Sequence, residues 1–158
     1  MKKYIHILLL LVVFYNGRSQ ELTLPSFTQY LADNPFVIAP TYAGIGDYAK
    51  IRANGFTQWV GIKDAPENQS LAADMRIYNQ SGVGLYLYND SNGNTRQTGA
   101  KVSFAHHLIL DKHMEQFLSF GISYNYNQFR IETENFTDQD IAVTDDRRLI
   151  NHNFDVGA

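Results

Sequence analysis

The segment Leu118 to Arg130, LSFGISYNYNQFR, alternates strictly. Leu118, Phe120, Ile122, Tyr124 and Tyr126 share one parity; Ser119, Gly121, Ser123, Asn125 and Asn127 share the other. A strand sends successive side chains to opposite faces, so one face is oily and ends in tyrosines while the other is small and polar. A membrane-crossing strand needs about 9–11 residues of this pattern, with aromatics where hydrocarbon meets water. A strand of a soluble sandwich, its oily face on a core, shows the same alternation. The remaining segments decide between them.

The pattern recurs from Lys50 onward. Lys50 to Trp59, Gln69 to Tyr78, Gly82 to Asn89, Gly99 to Leu110 and Ile150 to Ala158 each alternate, giving about six strands with the opening one. Asn79 to Gly82 and Asp111 to Glu115 are short connections. Asp90 to Asn94 is a strong hairpin signal, since Asn and Gly accept positive φ, and with Gly61 to Asn68 and the acidic Glu132 to Arg148 it is expected to be longer than those two. Strands that follow one another as plain hairpins, with short and long connections in alternation, predict an all-β fold. The expected architecture is an up-and-down antiparallel outer-membrane β-barrel, incomplete because closed barrels start at about eight strands. The chain therefore reads as the front part of a longer protein.

Ahead of the strands lie two other regions. Residues 1–19 have the form of a cleavable signal peptide: Lys2 and Lys3, the apolar core Ile5 to Phe14, then Gly17 and Ser19 before a cut at Gln20. That core is too short for a spanning helix, and no later stretch is apolar enough for one. Residues 20–47, with Pro25, Pro35 and Pro40, are not strand-like. They are expected to form a periplasmic segment, with a helical turn at Ser26 to Ala32 and an ordered loop from Asn34 to Gly46. Residues 48–158 are the barrel portion. Localisation at the outer membrane follows.

Composition excludes several classes. The chain has 158 residues and a net charge of −3, which offers no broad attraction for nucleic acid. Cysteine is absent, so disulfides, thiolate metal sites and cysteine nucleophiles are excluded. His106, His107 and His113 cluster near Asp111, but adjacent strand residues face opposite ways and do not converge on one ion. Asp138, Asp140, Asp145 and Asp146 lack the glycine and terminal glutamate of a calcium loop and read as a solvated outer loop. No nucleophile triad or phosphate-binding glycine loop stands out, so neither an enzyme nor a cofactor is expected. Lys50, Arg52, Asp74, Arg76 and Lys101 fall on the lumen parity, as a charge-paired plugged interior or as a pore lining. Trp59, Tyr124 and Tyr126 fall near strand ends, as an interfacial aromatic belt.

The block from Phe27 to Leu71 resembles the N-terminal signature of the PorP/SprF family, outer-membrane proteins associated with the type IX secretion system of Bacteroidetes-type bacteria. The residues that carry it are Phe27-Thr28-Gln29-Tyr30, Asn34-Pro35, Pro40-Thr41-Tyr42-Ala43-Gly44, Gln58-Trp59-Val60-Gly61, Ala65-Pro66 and Gln69-Ser70-Leu71. Gly82-Val83-Gly84-Leu85, Asn89-Asp90, Gly93 and Asn153-Phe154-Asp155-Val156-Gly157 continue it. The chain departs from the family pattern at Ala39-Pro40-Thr41, where Asn-Pro-Ala is usual, and at Phe56-Thr57, where an arginine usually precedes the Gln-Trp. The resemblance implies a non-enzymatic barrel that aids secretion, or surface retention, of cargo such as gliding adhesins. Its implied partners are type IX components of the periplasm and outer membrane, the cargo, and membrane lipid. Asn34, Pro35, Pro40, Tyr42 and Gly44 are the expected partner-contact residues, on a Pro-rich stretch set outside the barrel. A passive porin and a secreted soluble β-sandwich binding module are the alternatives.

Overall fold

The computed structural model describes residues 32–111, 116–131 and 147–158. Six strands, β1 (Lys50–Thr57), β2 (Glu67–Tyr78), β3 (Ser81–Asn92), β4 (Thr95–Asp111), β5 (Gln116–Ile131) and β6 (Arg147–Gly157), make one sheet in chain order. Every neighbouring pair is antiparallel. The fold is therefore an all-β, up-and-down meander, and it is open, since β1 and β6 each have a single neighbour. Among the described residues no helix is long and apolar enough to cross a membrane. The expected signal peptide, most of the turn at Ser26 to Ala32, His113 and the acidic loop aspartates lie outside the described residues.

Residues paired across a ladder project from the same face, so the register sorts the sheet into rows. One row runs Ile51, Ala73, Leu85, Val102, Tyr124, Phe154. The next runs Met75, Val83, Phe104, Ile122, Val156. Ile51, Met75, Leu85, Val102, Phe104, Ile122, Phe154 and Val156 are all exposed. On the opposite face Asp74, Lys101, Ser103, His107, Ser123 and Asn127 are buried. A water-soluble domain hides its apolar side chains and shows its polar ones. Here the faces are inverted, which is how a strand sheet meets lipid.

The strand limits correct three readings. Asp90 to Asn94 does form the expected hairpin but is no longer than its neighbours: β3 runs to Asn92, β4 starts at Thr95, and only Gly93-Asn94 turn the chain. Gly93 takes φ +58°, and Thr95 Oγ1 donates to the Asn92 carbonyl at 2.7 Å. Polar side chains there looked like loop, but a hairpin ladder is held by backbone groups and continues without apolar residues. The second and third connections are thus equally tight, and the alternation of short and long loops does not hold. β1 also stops at Thr57, short of Trp59, because Trp59 and Gly61 adopt positive φ. β6, by contrast, begins at Arg147, inside the expected loop.

Inserting a charge tests the outer face. Ile122→Arg, amid the apolar rows, is expected to cost about 2–4 kcal/mol, and Ile150→Arg, beside Gln128, under about 1 kcal/mol. Urea titration of the protein folded into lipid vesicles measures both. Equal losses would refute the lipid-facing order of rows.

Candidate functional site

The polar face is covered by the chain's own segment. After Asn34 come a one-turn helix, α1 (Pro35–Ile38), and a 3-10 turn, Pro40–Tyr42. Proline opens each, where its missing N–H costs nothing and its fixed φ suits the turn. Ala39 N–H closes on the Pro35 carbonyl at 3.0 Å and Ala43 N–H on that of Pro40 at 3.1 Å. Two tight turns in succession leave carbonyls pointing outward, and the sheet supplies their donors.

Lys101 Nζ donates to the Val37 carbonyl at 2.7 Å and to Asp155 at 2.7 Å; Ser123 donates to the same carboxylate at 2.9 Å. A buried ammonium is tolerated only when its donors are met. His107 Nε2 donates to the Ala43 carbonyl at 3.0 Å, and its Nδ1 lies 2.9 Å from Ser119 Oγ. Arg76 donates to the carbonyls of Gly44 and Ile45, and its guanidinium lies 2.9 Å from Asp47. Arg52 donates to the Asn34 side chain at 3.0 Å and pairs with Asp74 at 3.3 Å.

Steric fit matches the polar fit. Arg76, Gly82, Ala105, Gly121 and Gly157 are partners in one cross-strand row. A side chain at Gly121 would start 2.6 Å from the Pro40 carbonyl carbon, and one at Gly84 would start 2.6 Å from the Phe36 ring. Gly44 bends at φ +65° with its Cα directly over Gly82. The segment lies in a trough that only small residues leave open.

The predicted site residues are distributed as follows. Arg52, Asp74, Arg76 and Lys101 share the polar face and are joined there by ion pairs or segment contacts. Lys50 is opposite Asp74 in the ladder, and its Nζ lies 5.2 Å from the Tyr48 ring centroid. Asn34, Pro40 and Gly44 are buried, Pro35 is half-buried and Tyr42 is exposed. The stretch therefore does not stand apart from the sheet, as the sequence reading had it. Its carbonyls need donors, and Lys101, His107 and Arg76 on the polar face provide them, while Arg52 takes the Asn34 side chain. Tyr124 and Tyr126 do come together, both packing on His152, with Tyr124 Oη 2.6 Å from its Nδ1. Trp59 lies beyond the ladder, beside an open cleft of about 320 Å³ shared with Phe56, Gln58, Glu67 and Asp90. His106 and His107 take opposite faces, His106 meeting Ser81 at 2.9 Å. Among the described residues no three potential metal ligands converge.

A membrane-type sheet whose polar face is lined by its own N-terminal segment agrees with the outcome of comparison with known families. The model described as "Type IX secretion system membrane protein PorP/SprF" matches residues 19–158. The chain belongs to the PorP/SprF family. No curated protein and no solved structure matches it. PorP/SprF proteins are membrane proteins of the type IX secretion system. In this member the motif residues Asn34, Pro40, Gly44, Gly82 and Gly84 all serve the contact between segment and sheet. Sequence reasoning missed the receiving side, His107, Ser123 and the glycine row. A signal was present, since Gly82, Gly84, Gly121 and Gly157 interrupt strands on the polar parity, and strand glycines mark close backbone approach.

Two substitutions test the contact. Phe36→Ala is expected to cost about 3 kcal/mol, as for a fully buried ring, and Gly121→Val to displace Pro40. Both should expose residues 34–46 to limited proteolysis while strand content by circular dichroism stays unchanged. Resistance equal to wild type would show that the segment is held elsewhere.

Proposed function

We propose that this chain works at the outer membrane, exported by a signal peptide cleaved before Gln20. There it is a barrel component of the type IX system that aids secretion or surface retention of cargo such as gliding adhesins. The observation that carries the proposal is the inverted sheet, apolar where exposed and polar where covered by residues 34–46. A conducting channel needs its polar face open to water, so the covered face favours a docking role over a passive porin. A soluble sandwich would need a second layer over its oily face, and among the described residues nothing covers the exposed rows from Ile51 to Val156.

Within the expected contact stretch the residues divide into two groups. Asn34, Pro35, Pro40 and Gly44 hold the segment in place, whereas Ile38, Tyr42 and Ile45 of the same segment are exposed. Exposed apolar side chains on a fixed backbone suit protein contact, because little ordering entropy remains to be lost. Tyr42, Ile38 and Ile45 are thus the contact to secretion components, and the other four position them.

The test is co-purification from detergent-solubilised outer membranes. The triple variant Ile38→Asp, Tyr42→Asp, Ile45→Asp should retain wild-type membrane levels yet recover secretion components about tenfold less well. Undiminished recovery would remove the contact assignment. A gene deletion that leaves secretion and surface adhesins untouched would overturn the role itself.

A further inference from the structure

At the end of the sheet away from Gly44 and Gly82 lies the cleft beside Trp59, about 320 Å³ in volume, which neither the segment nor its contacts use. Its walls are fixed by hydrogen bonds. Trp59 (φ +53°), Gly61 (φ +96°) and Asp64 (φ +59°) fold residues 58–66 back, and Gln58 N–H closes on the Pro66 carbonyl at 2.9 Å. Gly93 N–H, in the β3–β4 turn, donates to the Asp64 carbonyl at 3.1 Å and ties the two loops together. Between β2 and β3 the buried Asn68 donates to Asp90 at 3.2 Å. A bulky residue at positive φ is an outlier, and it persists only where its surroundings fix it. Its effect here is to leave the Trp59 indole 66% exposed while it lines the cleft.

The lining narrows the class of ligand. Gln58, Asn68 and Asn92 contribute amides, and Glu67 and Asp90 contribute carboxylates. Among the described residues neither carboxylate makes an ion pair: Glu67 accepts from Gln69 at 2.7 Å, and Asp90 from Asn68. No Lys or Arg lines the cleft, so an anionic ligand meets two negative charges and no positive one. An ammonium or guanidinium only donates, and leaves the exposed amide N–H groups of Gln58 and Asn92 unused. A wholly apolar ligand would strip water from these polar groups and replace none of their hydrogen bonds. A sugar hydroxyl both donates and accepts, which answers amides and carboxylates alike. The C–H groups on the flat face of a sugar ring are slightly positive, and they settle on the negative face of an aromatic ring. Small-ligand pockets start at about 300 Å³, so the cleft is large enough.

We propose that this cleft binds a neutral saccharide, with one ring stacked on the Trp59 indole and its hydroxyls shared among Gln58, Asn92, Glu67 and Asp90. Asn68 holds the Asp90 carboxylate in place, and the tie between Gly93 and Asp64 holds the loop that carries the indole. The site is independent of the secretion role, and its ligand is a sugar whether free in solution or carried on a lipid.

Trp59 is the only tryptophan in the chain, so its fluorescence reports on the cleft directly. The full-length protein, in a detergent without sugar headgroups, is titrated with maltose, cellobiose, lactose and diacetylchitobiose. At least one should shift the emission with a dissociation constant of about 1 mM, and digalacturonic acid should bind about tenfold less well. Glu67→Ala and Asn92→Ala alter exposed side chains and should each weaken that sugar about fivefold, as for one lost hydrogen bond. By calorimetry, Trp59→Ala should abolish binding and Trp59→Phe should keep part of it. The sugar that binds is then offered as its alkyl glycoside in phosphatidylcholine vesicles. Tighter binding there places the natural sugar on a lipid and equal binding places it in solution, and either result upholds the site. No response to any of these sugars at about 10 mM, or binding that Trp59→Ala leaves unchanged, would overturn it. Digalacturonic acid binding as well as the neutral sugars would overturn the neutral class. A lysine-rich peptide binding where the sugars do not would make the cleft a site for a cationic protein segment instead.

Discussion

Lys101 sits on the covered face with almost no access to water, and it must find oxygen partners there. It finds one on β6, in Asp155, and one on the segment that precedes every strand, in the Val37 carbonyl. That single ammonium ties the outermost strand to the N-terminal turns. The rest of the polar face follows the same logic at lower charge density: His107, Arg76 and Arg52 each donate to the segment. The backbone that receives these bonds has to come close to the sheet, and the cross-strand row of small residues allows it. Removing the segment would take from Lys101, His107 and Arg76 the carbonyls they donate to, so sheet and segment are one structural unit.

Alternation made the sheet legible. Period-two patterning identified six strands and the face each side chain takes, because in a sheet with one oily face a slip of one residue would send every apolar group to the wrong side. The shared polar face of Arg52, Asp74, Arg76 and Lys101 came from the same rule. Strand ends were less legible: Asn89 to Asn92 and Thr95 to Thr98 are polar on both parities, so nothing in their side chains announces a ladder that backbone groups maintain.

The placement of Asn34 to Gly44 could not be reached by periodicity. Two one-turn helices leave no repeating pattern, and their partners lie as far along the chain as Lys101 and His107, 64 residues from the groups they meet. Such contacts are set by the register of strands that a linear reading does not yet have. The resemblance flagged the same residues without giving their role; the structure shows Asn34 and Gly44 fitting the segment to the trough. Trp59 illustrates the converse, an aromatic placed near a strand end whose positive φ takes it off the strand it was assigned to.

The trough under Pro40 to Tyr42 bears on the order of assembly. Hairpins between consecutive strands close over short loops, at little entropic cost, while the segment's bonds close very long ones. The 3-10 turn touches β4, β5 and β6, the last strands in the chain. A sheet that has grown only as far as β3 offers the segment Arg52, Arg76, Gly82 and Gly84 but no seat for that turn. The stretch that precedes all the strands therefore completes its docking only once the later strands have joined the sheet.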